Sequence, residues 1–154
     1  MVTFKTFVFG ICVLALSLSL LACAGPGSSA KTTSAGSPAS SAAKPPGPFV
    51  LGGEIDGSSG KVVMQGTDTM KFTPNSITKV KPNGAVEVEL TNVGATVHNI
   101  VGPGLGLPTA VKANPRQKVT ATLKAPATAG TYPFWCNEPG HAEAGMTGQI
   151  VVSE

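Results

Sequence analysis

The chain has 154 residues, a formal charge of +3 and only 12% charged residues. That length allows one ordinary domain with extensions. No basic stripe and no interleaving of aromatic with basic residues marks it for nucleic acid. Residues 48–154 hold eight Lys/Arg and eight Asp/Glu, so that region is near neutral.

Residues 1–22 read as a secretory signal. Lys5 supplies a positive start, and Phe7 to Ala22 is apolar apart from Gly10, Ser17 and Ser19. Leu20-Leu21-Ala22-Cys23 resembles a bacterial lipobox, which predicts cleavage before Cys23 and lipidation of its thiol. The other reading is an uncleaved membrane helix, for which the run is short. Residues 23–47 are then the lipidated Cys23 and a flexible tether, in which 24–47 are Ala, Gly, Ser, Thr and Pro, charged only at Lys31 and Lys44, with too little apolar surface to fold. The expectation is an extracytoplasmic protein, in the periplasm or on the outer face of the cell membrane, held by lipid.

The folded domain is expected over residues 48–154. Lys61–Met64 and Thr69–Phe72 read as early strands, and Pro74-Asn75 and Pro82-Asn83-Gly84 as turns. Ala85–Thr91 and Gln117–Lys124 alternate apolar and polar residues, the period of a half-buried strand. Val97–Val101, Tyr132–Cys136 and Thr147–Ser153 complete the set. No segment carries a helical period. The pattern predicts an all-β fold, a Greek-key sandwich of about seven to eight strands.

Cysteine usage narrows the chemistry. Cys12 falls in the signal and Cys23 at the anchor, which leaves Cys136 as the one thiol of the folded domain. A lone thiol on an exported protein is an oxidation hazard unless something occupies it. Cys136, His141 and Met146 follow one another with four residues between each pair, on a loop between two strand-like runs. The protein's other histidine, His98, lies on a different strand. Two His and one Cys with a weak axial Met make a mononuclear blue-copper site. Set by different strands, its geometry would change little as copper gains or loses an electron. The metal ligands expected are therefore His98, Cys136, His141 and Met146. Core packing is the plain alternative for Met146.

Val97-His98-Asn99 and Tyr132-Pro133-Phe134-Trp135-Cys136 resemble the first-ligand and cysteine-strand motifs of the cupredoxin family. The Cys-to-His spacing is similar to that of azurins and auracyanins, and Ala144-Gly145-Met146 to that of plastocyanins. The resemblance covers residues 48–154. It implies one type 1 copper ion, a His141 near the surface as the main electron exit, and a deeper His98. It also implies a hydrogen bond from Asn99 to the residue after the cysteine, here Asn137. Asn99 could equally serve a turn. Trp135 is expected to face outward, as a second docking point or as a cap on the sandwich. Leu105 and Leu107, with Pro139 and Ala142, either form an apolar docking patch around His141 or fold under their own loop.

The function these features imply is one-electron transfer, with copper cycling between Cu(II) and Cu(I) and no substrate transformed. Partners would be redox proteins of a respiratory or photosynthetic chain, docking transiently with a monomer. A copper enzyme of the nitrite reductase or multicopper oxidase kind needs more histidines than the two present. A binuclear centre needs a second Cys at position 140, which is Gly. The alternative is an extracytoplasmic lipoprotein that binds or delivers copper, although the Met/His-rich tracts of such carriers are missing.

Overall fold

The alternating segments become strands whose apolar side chains turn inward. In the computed structural model, which describes residues 43–107 and 109–154, ten strands form three sheets. The signal segment, Cys23 and the tether as far as residue 42 lie outside the described residues. In chain order the strands are β1 (Glu54–Asp56), β2 (Lys61–Thr67), β3 (Lys71–Thr73), β4 (Ser76–Val80) and β5 (Ala85–Asn92). Then follow β6 (His98–Ile100), β7 (Val111–Ala113), β8 (Lys118–Lys124), β9 (Gly130–Trp135) and β10 (Thr147–Val152).

The expected all-β sandwich is present. One sheet runs β1-β4-β10-β9 and the other β3-β2-β5-β8, with β6-β7 as a separate pair. The three strands outside the seven segments read from the sequence are β1, β4 and β7. β1 and β7 have three residues each, too short for alternation to register. β4 follows Pro74-Asn75 directly, and its burial pattern is irregular.

The core fills the space between the two large sheets. β2 supplies Val62 and Met64, β5 supplies Val86, Val88 and Leu90, and β10 supplies Ile150 and Val152, all buried. Phe72 on β3 and Phe134 on β9 meet across the gap, with ring centroids 5.7 Å apart and planes tilted by 51°. Offset, tilted aromatic pairs of this kind add to area burial.

Register then places the metal-site residues at one end. β5 pairs antiparallel with β8 and parallel with β2, so Gly66 and Asn92 lie side by side at the same end of that sheet. β9 ends at Trp135, opposite Thr147 at the start of β10. The Cys136–Met146 loop joins them there. Val101 pairs with Trp135 and draws β6 against the end of β9.

Candidate metal centre

His98 opens β6 and is fully buried, as are Cys136 and Met146. His141 is half-buried on the loop. The donor atoms of His98, Cys136 and His141 all lie within 4.8 Å of one another. His98 Nδ1 is 3.3 Å from His141 Nδ1, and that same His141 nitrogen is 3.4 Å from Cys136 Sγ. Both imidazoles thus present Nδ1 to a common point. The Met146 side chain reaches the same place, because a Cβ added to Gly66 would meet the His98 ring at 3.1 Å and Met146 Cε at 3.3 Å. All four residues expected from the sequence come together.

The loop closes on itself through its own backbone. Cys136 N–H donates to the Met146 carbonyl at 3.0 Å, and Met146 N–H to the His141 carbonyl at 2.9 Å. His141 N–H donates to Glu138 and Gly145 N–H to Ala142. Gly140 and Gly145 have φ of +79° and +103° with open space around the missing Cβ, so backbone conformation fixes these two glycines.

Asn99 joins the loop to β6. Its carboxamide oxygen accepts from Asn137 N–H at 2.8 Å, and its nitrogen donates to Glu138 Oε1 at 2.9 Å. Its backbone N–H points at Cys136 Sγ, 3.4 Å away. The clip expected between Asn99 and Asn137 is therefore formed. Lys112 on β7 adds an ion pair to Glu138 at 3.1 Å.

Charge and burial set the protonation of the donors. Burial pushes the Cys136 thiol up, against two backbone N–H groups that favour the thiolate. A metal would have to displace that proton, so binding is proton-coupled. Burial also pushes His98 down, and His141 beside it adds to the effect, which keeps the ring neutral and able to ligate.

Several contributors were not legible in the sequence. Gly66 is one, although a glycine within a strand pattern signals close approach. Asp68 is another: it accepts from Ala95 N–H and from Thr96 N–H and Oγ1. A third is Asn75, buried, which donates to the Thr147 carbonyl next to Met146 and ties residues 50 and 52 to it. The chain before β1 also packs here, since Gly47 sits where a Cβ would collide with the Ala142 carbonyl.

The apolar patch around His141 is not built as one of the two readings had it. Leu105 is fully buried, and its carbonyl accepts from Lys124 N–H at 2.8 Å. Lys124 pairs with Ala85, at the opposite end of β5 from Asn92. Leu105 therefore folds under its loop, away from the metal end, Leu107 is half-buried against the same core, and Ala142 is buried too. Trp135 alternates with buried Phe134 and Cys136 and is itself half-buried.

The model of copper binding proteins of the plastocyanin/azurin family matches residues 59–153. The chain belongs to that family. No curated protein matches it in sequence. Among solved structures it is similar to dithionite-reduced auracyanin from the photosynthetic bacterium Roseiflexus castenholzii. That likeness has a TM-score of 0.54 and 24% identity, over 64% of this chain and 100% of the other. Auracyanin A, a "blue" copper protein from Chloroflexus aurantiacus, gives 0.50 and 21% over 66% and 100%. Auracyanin B gives 0.50 and 22% over 61% and 88%. These identities show a shared fold.

The family's cofactor is copper, and the residues here fit it. Two imidazole nitrogens and a thiolate sulfur, with a thioether beside them, are a donor set that suits copper. At separations of 3.3 and 3.4 Å these atoms are close enough to share one ion.

Proposed function

We propose that this protein is a membrane-tethered, one-electron carrier in which His98, Cys136 and His141 hold copper and Met146 is its axial ligand. The observation that carries the reading is the convergence of two Nδ1 atoms and one thiol sulfur within 4.8 Å, in a pocket closed by Met146 and Gly66. Bound copper would supply a Cu(II)/Cu(I) couple, with the soft sulfur ligands favouring the reduced ion.

The chain's own residues do the rest. The sandwich holds His98, and the hydrogen-bonded loop holds the other three, so little moves when the charge changes. Fully buried Cys136 and His98 exclude water from the sulfur. Half-exposed His141 is the one ligand at the surface and the natural edge for electron exchange. Partners are redox proteins of a respiratory or photosynthetic chain, met at that edge. With copper on Cys136 the one thiol of the folded domain is occupied, which fits an extracytoplasmic site with lipid on Cys23.

The test is a visible and electron paramagnetic resonance spectrum of the Cu(II)-loaded protein. An intense thiolate-to-copper band that bleaches reversibly on reduction supports the carrier. Weak, colourless binding would instead favour a copper-delivery protein. For Met146→Leu the expectation is retained copper and colour with a raised reduction potential, measured by voltammetry. An unchanged potential would remove Met146 from the ligand set.

A further inference from the structure

His98 has two nitrogens, and only Nδ1 faces the other donors. Nε2 points the opposite way, to Thr96 Oγ1 at 3.5 Å and Asp68 Oδ1 at 3.9 Å. Thr96 Oγ1 donates its own hydrogen to Asp68 Oδ1 at 2.9 Å. Its lone pairs therefore remain to accept from His98 Nε2–H. With the hydrogen on Nε2, Nδ1 is bare.

Asp68 is well placed to dictate this. It lies in the turn between β2 and β3, far in sequence from His98. Its two oxygens accept from Ala95 N–H at 2.8 and 3.0 Å and from Thr96 N–H at 3.1 Å. A side chain at Gly94 would collide with the carboxylate. Three donors, Ala95 N–H, Thr96 N–H and Thr96 Oγ1–H, thus converge on this one carboxylate, the surroundings that suit its charged form.

We propose that Asp68, acting through Thr96, is the positioning residue for His98, fixing its Nε2–H tautomer and placing a negative charge behind the ring that favours the oxidised metal. A metal-ligating histidine is usually oriented by a partner on its other nitrogen, and a carboxylate there raises the basicity of the ring. The proposal rests on His98 being a ligand.

Three proteins test it: wild type, Asp68→Asn and Thr96→Val. Asparagine keeps an oxygen for Ala95 and Thr96 N–H but removes the charge, and valine keeps the charge but removes the relay. The first readout is the nitrogen-15 spectrum of the metal-free protein, which reports the His98 tautomer without copper. Wild type is expected in the Nε2–H form, and Thr96→Val as a mixture. The second is the reduction potential of the copper-loaded proteins. Asp68→Asn should lose about three- to tenfold in preference for Cu(II) over Cu(I), a potential raised by up to about 59 mV for one electron. The third is thermal melting of the metal-free forms, in which Asp68→Asn should stay near wild type. A variant that melts lower with tautomer and potential unchanged would make Asp68 a loop clamp only and overturn the proposal. If Asp68→Asn fails to fold, Thr96→Val decides on tautomer and potential together. A wild type without blue colour would instead refute the ligand assignment, while the tautomer readout still judges the relay.

Discussion

His98 and the Cys136–Met146 loop bring ligands to one point by opposite means. His98 is held from outside its own segment. Asn92, buried at the end of β5, donates to the Thr96 carbonyl at 2.7 Å and the Ala113 carbonyl at 3.0 Å, and accepts from Gly94 N–H at 2.9 Å. Asp68 holds the same segment from the other side. The loop, by contrast, is held mainly by its own backbone, from Cys136 N–H to the Met146 carbonyl. Spacing carries the loop ligands, and remote side chains carry the sheet ligand. Damage to the first should therefore be local, and damage to the second should spread into the fold.

The largest expected effect lies where the two regions meet. Cys136 follows the last residue of β9, receives the Asn99 N–H from the His98 side, and closes the loop. Cys136→Ser should abolish the intense colour altogether, while the metal-free protein melts close to wild type, because serine keeps the backbone bond to Met146. Absorbance and melting curves check both halves. A coloured Cys136→Ser protein would place the thiolate chemistry elsewhere.

Asn92→Ala breaks the sheet side alone. Three backbone groups lose a buried partner, at about 1 kcal/mol or more each, so the protein should lose on the order of 3 kcal/mol. Denaturant unfolding of the metal-free form measures it. A loss under about 1 kcal/mol would mean that the His98 segment is held by its strand pairing with β7 rather than by remote side chains.

What could be read from the sequence follows the same division. The loop ligands show as Cys, His and Met at regular spacing, because a self-contained loop writes its geometry locally. The sandwich shows in the alternation of β5 and β8. The clamps do not show. Asn92 and Asp68 are ordinary polar residues in sequence, and only the parallel pairing of β2 with β5 brings their neighbourhoods together. Lys112 is equally silent, because β7 is too short to announce itself and its pairing with β6 is what aims the lysine at Glu138. The leucines of the 102–108 loop were ambiguous for a related reason. Gly/Pro composition reveals a loop but not whether its side chains turn under, and Leu105 does.

Gly66→Ala probes the wall that both regions share. The new Cβ would press the His98 ring at 3.1 Å and Met146 Cε at 3.3 Å. Overpacking of this kind costs about 1–3 kcal/mol. The blue spectrum should shift as both side chains move apart, and a spectrum identical to wild type would mean that the pocket relaxes elsewhere.

The smallest effect belongs to the ion pair that reaches the loop from β7. Lys112 and Glu138 meet at 3.1 Å with their side chains 56% and 23% exposed, so water screens much of the attraction. A double-mutant cycle with Lys112→Met and Glu138→Gln should give a coupling of about 0.5 kcal/mol, in the range of partly exposed pairs. Its pH dependence has a definite sign. The Lys112 ammonium holds the Glu138 carboxyl below its usual range, with Asn99 helping. The unfolded chain therefore takes up the proton first as acid is added. The coupling is complete above the ordinary glutamate value of about 4.3 and fades as the pH falls through the lower folded value. A coupling that grows on acidification would contradict the pairing. One that exceeds about 2 kcal/mol at neutral pH would show that the loop, too, depends on distant side chains.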